Sequence, residues 1–166
     1  MSNPLEDPFY YLHNFQQVLD WLEQRYADVL DDEEQRFVTQ FAQLPQPAQA
    51  LLVRMVMRKG LHFRATKLNY LEIGPVDVAV QPLLAHGWVN EQGLLALDEV
   101  WGQLQKGEVL QAFKPWIEQP RGKKSDWLPG LSSQFTEPRT FAQWCPQLDD
   151  RLYSLTVMDL CDRLRL

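Results

Sequence analysis

The side chains that could perform catalysis are present in this chain, but their spacing does not assemble a reactive site. His13, His62 and His86 lie on separate segments, and the H-x-x-x-H and H-E-x-x-H spacings of metal sites do not occur. No glutamate has a lysine two positions further on, so the E-x-K signature of metal-dependent nucleases is missing. The sequence also lacks a glycine-rich phosphate loop and a G-x-S-x-G nucleophile motif. We therefore predict no catalytic residue, no metal ligand and no cofactor within these 166 residues.

The positive charge of the chain offers a different chemistry, which is binding to phosphate. Residues 49–67 (the basic segment) read QALLVRMVMRKGLHFRATK and contain no acidic residue, although the chain has a formal net charge of −6. Lysine and arginine displace counterions from a nucleic-acid backbone and bind it without reading its sequence. The candidate phosphate contacts in the basic segment are Arg54, Arg58, Lys59, Arg64 and Lys67.

The basic segment could instead serve the fold itself, in either of two ways. Arginine stems can cover apolar surface while their charged groups stay in water. Alternatively, acidic residues could neutralise the segment in the fold, because residues 1–44 carry nine aspartates and glutamates against Arg25 and Arg36. A second, weaker basic stretch lies within residues 121–139, and its candidate phosphate contacts are Arg121, Lys123 and Lys124.

Composition indicates the compartment more clearly than the partner. Cys145 and Cys161 match no metal or redox spacing and predict reduced thiols. The start, MSNPLEDPFYY, is polar and acidic, and no apolar run reaches the roughly 18 residues that a membrane span needs. We expect a cytoplasmic protein with no membrane partner.

Helical periodicity organises the first 44 residues. Apolar residues recur at steps of three and four over residues 9–29, which predicts an amphipathic helix. Asp31 and Glu34 have the spacing of a capping box and predict the start of a second helix that ends before Pro45. Residues 1–44 are therefore predicted to form an N-terminal helical hairpin.

Residues 45–97 follow the order of a winged helix-turn-helix. Pro47 suits the first turn of a helix and Gly60 suits its C-cap, which predicts the first helix of this unit. The stretch FRATKLNYLEI predicts a short second helix with Leu68 and Leu71 facing inward. Further on, WV and LLAL flank NEQG, which predicts a β-hairpin wing.

The third predicted helix of this unit spans residues 76–86 and would be the recognition helix. Pro82 removes a hydrogen bond inside it, so we expect a kink or a restart at that position. Base reading in the major groove usually needs Arg, Lys, Asn or Gln, and only Gln81 qualifies. Sequence-specific operator binding is therefore disfavoured relative to recognition of backbone or shape.

The remainder of the chain is predicted to be helical with one extended stretch. Residues 98–135 hold short helical patterns around a basic turn and are predicted to form a SAP-like helical element. Residues from Thr136 to Pro146 are expected to be extended or to form a loop, and a helix is expected from Gln147 onward. The predicted fold class is mainly α: a helical hairpin, a winged helix-turn-helix with a small β-hairpin wing, and a SAP-like element.

Several stretches together resemble one family. The runs ALLVRMVMRKGLHFRATKLNYLEIG, PLLAHGWV and LTVMDLCDRLRL, with the opening YYLHNFQQVLDWLEQRYADVL, are similar to the N-terminal part of bacterial Fanconi-associated nucleases, the VRR-NUC domain proteins. The resemblance covers nearly the whole chain. It implies a larger protein, with a helical-repeat region and a C-terminal VRR-NUC nuclease domain. Residues 136–166 would then comprise a linker and the first helix of the helical-repeat region. The final RLRL lacks a stop signal, as expected for a fragment of a longer protein.

The resemblance also implies a function. Members of the family are Mg²⁺- or Mn²⁺-dependent phosphodiesterases that act on 5′ flaps and branched DNA in interstrand crosslink repair, with metal ligands in the absent C-terminal domain. Their SAP-like part contacts duplex DNA, which by position implies Arg121, Lys123 and Lys124. We expect this chain to hold duplex DNA beside a flap or junction, with the nuclease and helical-repeat domains as partners. The alternatives are an interaction scaffold that packs on those domains with little DNA contact, and a winged-helix transcription regulator.

Overall fold

The computed structural model describes residues 7–58 and 60–166, and it is mainly α-helical with one small antiparallel sheet. Lys59, one of the candidate phosphate contacts, lies outside the described residues. The strands are β1 (His62–Arg64), β2 (Val89–Asn90) and β3 (Leu152–Leu155). The helices, numbered α1 to α10, span Tyr10–Tyr26, Asp32–Ala42, Gln46–Met57, Val76–Ala79, Gln81–Ala85, Leu97–Gln103, Lys106–Phe113, Lys124–Ser132, Phe141–Trp144 and Met158–Arg163.

Helices α1 and α2 form the predicted hairpin. The predicted capping box is confirmed, because the Asp31 carboxylate accepts a hydrogen bond from the Glu34 backbone N–H and Glu34 accepts one from the Asp31 N–H. The two helices pack through aromatic rings, with Phe15 and Phe41 centred 5.1 Å apart. The apolar stripe of the sequence thus becomes the face that each helix buries against the rest of the fold.

Helix α3 is the central helix of the larger core, and the element after it differs from the prediction. Leu51, Leu52 and Met55 are fully buried, as their helical phase indicated. The helix predicted in FRATKLNYLEI is wrong: β1 and a short 3₁₀ helix over Ala65–Lys67 occupy this stretch. Leu71, predicted to face inward, is 101% exposed. The extended form wins because the strand finds a distant pairing partner that the local sequence does not contain.

The expected interruption at Pro82 is confirmed. Helix α4 ends at Ala79, α5 begins at Gln81, and Pro82 occupies the first turn of α5, where its missing N–H costs no hydrogen bond. Gly87 ends this helical pair with a φ of 74°, a left-handed conformation that glycine adopts without strain.

The sheet corrects the predicted wing. Its strand order is β1-β3-β2, and both outer strands pair antiparallel with β3. The predicted hairpin between WV and LLAL is therefore wrong, because Val89 pairs with Leu155. The helix predicted from Gln147 onward is replaced by β3, and a helix follows only at α10. In the sequence, residues 91–151 therefore lie between β2 and β3.

The buried apolar residues of the described part of the chain form two clusters. One contains buried residues of α1 to α5, the sheet and α10, and we call this part, residues 7–90 and 152–166, the HTH unit. The other contains buried residues of α6 to α9 together with Leu95 and with Leu152 of β3, and we call residues 91–151 the SAP unit. The predicted domain limits stay predictions. No helix in the described part of the chain is long and apolar enough to cross a membrane.

Candidate nucleic-acid interface

Arg54 lies in a cage of side chains on α3. Its guanidinium carbon is 4.0 Å from the centre of the Tyr11 ring and 4.6 Å from that of Tyr70. Its Nη2 donates to the Glu72 carboxylate at 2.6 Å, and the Tyr11 hydroxyl donates to the same oxygen at 2.9 Å. The cage joins α1, α3 and the loop before α4, so most of the charge of Arg54 is already balanced inside the protein.

The titration of the two acidic groups in this cage follows from the same contacts. Burial, followed by the hydrogen bond to Glu72, raises the pKa of Tyr11 to about 12. Burial alone would raise the pKa of Glu72, but hydrogen bonds from Arg54, the backbone and Tyr11 lower it overall. Glu72 is therefore a charged partner of Arg54 at neutral pH.

Arg58 and Lys67 differ from Arg54 in being exposed. Arg58 is the residue after α3, and its Nη1 donates to the Lys67 carbonyl at 3.1 Å and to the Tyr70 hydroxyl at 3.4 Å. Arg54 and Arg58 both contact Tyr70, so the two arginines project from the same side of the helix. This edge of the HTH unit presents positive charge to solvent.

Arg64 is the candidate contact whose surroundings differ most from the expectation. It is only 6% exposed. Its Nη1 and Nη2 each donate to a different oxygen of Glu108 at 2.6 Å, its Nε donates to Asp150 at 2.8 Å, and its Nη1 also reaches the Gln103 carbonyl at 3.1 Å. The planar fork of the guanidinium is thus satisfied by two carboxylates and a carbonyl.

The acidic residues that pair with the basic segment are not those of the N-terminal hairpin. Arg54 is paired with Glu72, and Arg64 with Glu108 and Asp150. Two acids of the hairpin pair instead with Arg163 of α10, the distances being 3.5 Å to Asp31 and 3.5 Å to Glu33. The neutralisation considered from the sequence does occur for Arg54 and Arg64, but through other residues.

The SAP unit carries its basic residues around Trp127. The Trp127 indole N–H donates to the Gln119 carbonyl at 3.0 Å, which holds the turn before α8 against the ring. Arg121 and Lys123, in and after this turn, are exposed. Lys124 is half-buried, and its Nζ donates to the Leu104 carbonyl at 2.6 Å.

Lys106 is a further member of this group that was not predicted from the sequence. It is exposed at the start of α7, and its Nζ is 5.8 Å from the centre of the Trp127 ring. The Gln105–Glu108 capping pair, Q-x-x-E, could have placed this lysine at the N-terminus of a helix. Within the described part of the chain, no ion pair involves the members that we call the SAP basic cluster: Lys106, Arg121, Lys123 and Lys124.

The recognition-helix position offers little for reading bases. Helix α5 is five residues long, and Gln81, its one suitable side chain, donates to the Asp77 carbonyl at 3.0 Å. No group of three or more His, Cys, Asp and Glu side chains suited to a metal ion occurs among residues 7–58 and 60–166. The chemistry that these residues can supply is therefore contact with anions through exposed Lys and Arg.

Two family models match the chain, and together they cover most of it. The model described as the HTH domain of FAN1 matches residues 9–90. The model described as the SAP domain of Fanconi anemia-associated nuclease matches residues 94–144.

Curated relatives carry the same family name. A Fanconi-associated nuclease 1 homolog of Pseudomonas aeruginosa is 50% identical over 165 residues, which is 99% of this chain and 30% of the relative. Human Fanconi-associated nuclease 1 is 33% identical over 120 residues, or 69% of this chain and 12% of the human protein. The chain thus spans less than a third of the length of these relatives.

Solved structures extend the similarity to three dimensions. The crystal structure of paFAN1 bound to 5′-flap DNA with a two-nucleotide flap and a gap has a TM-score of 0.93 and 49% identity, covering 100% of this chain and 30% of that chain. A second crystal structure of paFAN1, with a one-nucleotide 5′ flap and a gap, has a TM-score of 0.91 and 51% identity, covering 96% of this chain and 30% of that one.

Proposed function

Because the chain belongs to the Fanconi-associated nuclease family, we propose that it is the DNA-binding N-terminal region of a structure-specific 5′-flap nuclease. In this proposal it holds duplex DNA next to a flap or junction through phosphate contacts. The strand is thereby positioned for a C-terminal VRR-NUC domain that acts in interstrand crosslink repair.

One observation carries the proposal, which is the structural agreement with paFAN1. The two chains superpose with a TM-score of 0.93 at 49% identity over all of this chain, and paFAN1 was crystallised with 5′-flap DNA. At this identity the backbone that would present side chains to DNA is the same in both proteins. The proposal extends the DNA partner of paFAN1 to this chain.

The exposed basic side chains supply the physical mechanism. The exposed residues that we assign to phosphate contact are Arg58 and Lys67 in the HTH unit and Lys106, Arg121 and Lys123 in the SAP unit. Exposed cations can approach a phosphate without breaking an internal ion pair, so each contact releases counterions at little cost. Arg54 and Arg64 would first have to leave Glu72 or Glu108 and Asp150, so the proposal does not depend on them.

The activity of the whole protein is part of the proposal. We infer a phosphodiesterase that needs Mg²⁺ or Mn²⁺, with its metal ligands in a domain outside these 166 residues. The described residues do not fit such a metal centre, since they offer no cluster of three suitable ligands. The work on DNA would take place in the bacterial cytosol, with the helical-repeat and nuclease domains as partners in the same polypeptide.

A second candidate function is an interaction scaffold that packs on those domains and touches little DNA. The observation that favours it is the internal pairing of Arg54 and Arg64, which removes two of the strongest candidates for phosphate contact. The exposed apolar side chains of Leu71 and Trp116 would suit protein contacts.

The salt dependence of DNA binding separates the two functions. Fluorescence anisotropy with a labelled 5′-flap duplex measures the dissociation constant of the chain at several salt concentrations. Binding through phosphates predicts a linear loss of log affinity with log salt, with a slope that grows by about 0.9 for each contact. The Arg121→Glu/Lys123→Glu variant is expected to bind more weakly, with the magnitude of the slope reduced by roughly 2.

A charge-matched control variant is available in the hairpin. Arg25 and Arg36 are both exposed, so Arg25→Glu/Arg36→Glu changes the net charge by the same amount far from Trp127. This control should bind with nearly the wild-type slope. Equal losses of DNA affinity in both variants would mean that the effect comes from net charge alone. If the wild type showed no detectable binding at low salt, the scaffold function would be favoured.

A further inference from the structure

Arg64 joins the two units of the molecule at the base of an inserted segment. Residues 91–151 leave the sheet after β2 and return to it at β3, so the SAP unit is an insertion carried on two chain crossings. The two hydrophobic clusters are distinct, and Leu152 of β3 is the buried residue of the sheet that belongs to the cluster of the inserted unit. The polar contacts at the base of the insertion add a directional restraint to this apolar contact.

Those contacts converge on β1. Arg64 reaches Glu108 at the start of α7, Asp150 just before β3, and the Gln103 carbonyl at the end of α6. Asp150 also accepts a hydrogen bond from the Thr66 hydroxyl at 2.7 Å. One buried guanidinium therefore connects the first strand of the HTH unit to α6, to α7 and to the C-terminal end of the inserted segment.

His62, two residues earlier on the same strand, adds a weaker second link. Its Nε2 lies 3.1 Å from the Glu99 carboxylate of α6, its Nδ1 lies 2.8 Å from the Ser154 hydroxyl of β3, and its carbonyl accepts from Gln103 at 3.4 Å. Both contact residues of β1 thus reach α6 of the SAP unit.

We propose that the group formed by Arg64, Glu108 and Asp150, the Arg64 clamp, sets the orientation of the SAP unit relative to the HTH unit. Arg64 is a positioning residue in this proposal and need not touch DNA. The clamp holds the exposed cations near Arg58 and those around Trp127 in a fixed relation, so that one duplex can meet both sets. The orientation itself is independent of the proposed function, whereas its use on DNA rests on it.

The geometry of the clamp makes a lysine an informative replacement. Lysine keeps the charge but presents a single ammonium, which cannot give two parallel hydrogen bonds to Glu108 and a third to Asp150. Arg64→Lys would preserve a role that depends on charge alone. A role in orientation is lost in Arg64→Lys and in Arg64→Gln alike.

The test is a distance measurement between spin labels on the two units of the free chain. Labels are placed on cysteines introduced at exposed Thr39 and Ser133. The native Cys145 and Cys161 are buried, and burial raises their pKa values to about 11 and about 12, so they react slowly. The wild type is expected to give one narrow distance distribution, and both Arg64 variants a broad or divided one.

Arg163→Gln is the matched control, because it removes an arginine that pairs with two acids within the HTH unit only. It should retain the narrow distribution. Circular dichroism is recorded for every variant, and Glu108→Gln, which leaves the Arg64–Asp150 pair in place, is measured if Arg64→Gln loses helical signal. The clamp would be overturned if folded Arg64→Lys, and Glu108→Gln where it is measured, gave the narrow distance distribution of the wild type. Since no DNA is present, this failure is distinct from failure of the proposed function.

Discussion

The two units use positive charge in opposite ways. The basic segment of the HTH unit holds five cations in nineteen residues, yet its Arg54 and Arg64 are engaged with carboxylates of the same chain. The SAP unit has its basic residues spread thinly over residues 91–151, and its Lys106, Arg121 and Lys123 are exposed near one tryptophan. Density of charge along the sequence therefore does not measure the charge that a partner can reach.

The difference has a physical reason. The side chain of an arginine in a buried strand lies inside the fold, where an unpaired charge is costly. Such an arginine must therefore pair with acidic residues, which here come from distant segments of the chain. Arg64 finds Glu108 and Asp150 in this way. Lys106, at the first position of α7, is exposed and is in none of the ion pairs of the described residues, so it stays available for phosphate.

The strongest test of this contrast is the stability of Arg64→Gln. The substitution leaves Glu108 and Asp150 without their buried counter-charge, and removing one partner of a buried pair typically costs about 3–5 kcal/mol. Lys123→Gln, at an exposed position, should change the free energy of unfolding by less than about 0.5 kcal/mol. Urea denaturation followed by circular dichroism measures both, and similar values for the two variants would remove the contrast between the units.

Arg54→Gln should have an intermediate effect. It removes the counter-charge of the Glu72 carboxylate and takes a cation from between two rings, so a loss of about 1–3 kcal/mol is expected. Arg58→Gln, from the same side of α3 but exposed, serves as the comparison and should lose clearly less. The same denaturation experiment compares them, and the reverse order would mean that the cage around Arg54 is not a structural element.

The smallest expected effect is a change in pH dependence. The hydrogen bonds from Arg64 lower the pKa of Glu108, so its contribution to stability is present above the ordinary glutamate pKa of about 4.3 and is lost as the pH falls through the lower folded value. The charged groups acting on Glu108 are Arg64 and Lys67. The Glu108→Gln variant should therefore lose less stability than the wild type between neutral pH and the acid range. Urea midpoints measured over this range decide it, and parallel curves would contradict the assignment to Glu108.

Local patterns predicted α1, α2 and α3, because caps and apolar spacing act over a few residues. The Asp31–Glu34 box and the restart at Pro82 are examples. The same patterns also predicted helices in FRATKLNYLEI and from Gln147, where the structure has strands. The sheet could not be predicted in the same way. Strand β3 lies far along the chain from both β1 and β2, and the short strands have no local partner that would mark them.

The candidate interface was predictable in residue type but not in exposure. Arg121 and Lys123 were identified from a basic turn and are exposed, whereas Arg64 was identified by the same reasoning and is buried. The burial of Arg64 depends on its pairing with Glu108 and Asp150, which lie in residues 91–151 and are far from Arg64 in the sequence. A count of like charges in a window contains none of that information.

The central claim is that the SAP basic cluster contacts DNA phosphates, and lysine acetylation tests it most directly. The chain is acetylated under limiting conditions with and without a saturating 5′-flap duplex, and each lysine is quantified by mass spectrometry. Lys106 and Lys123 are exposed, so they should react readily in the free chain and be strongly protected by the duplex. Unchanged reactivity of both lysines when the duplex is bound would contradict the account.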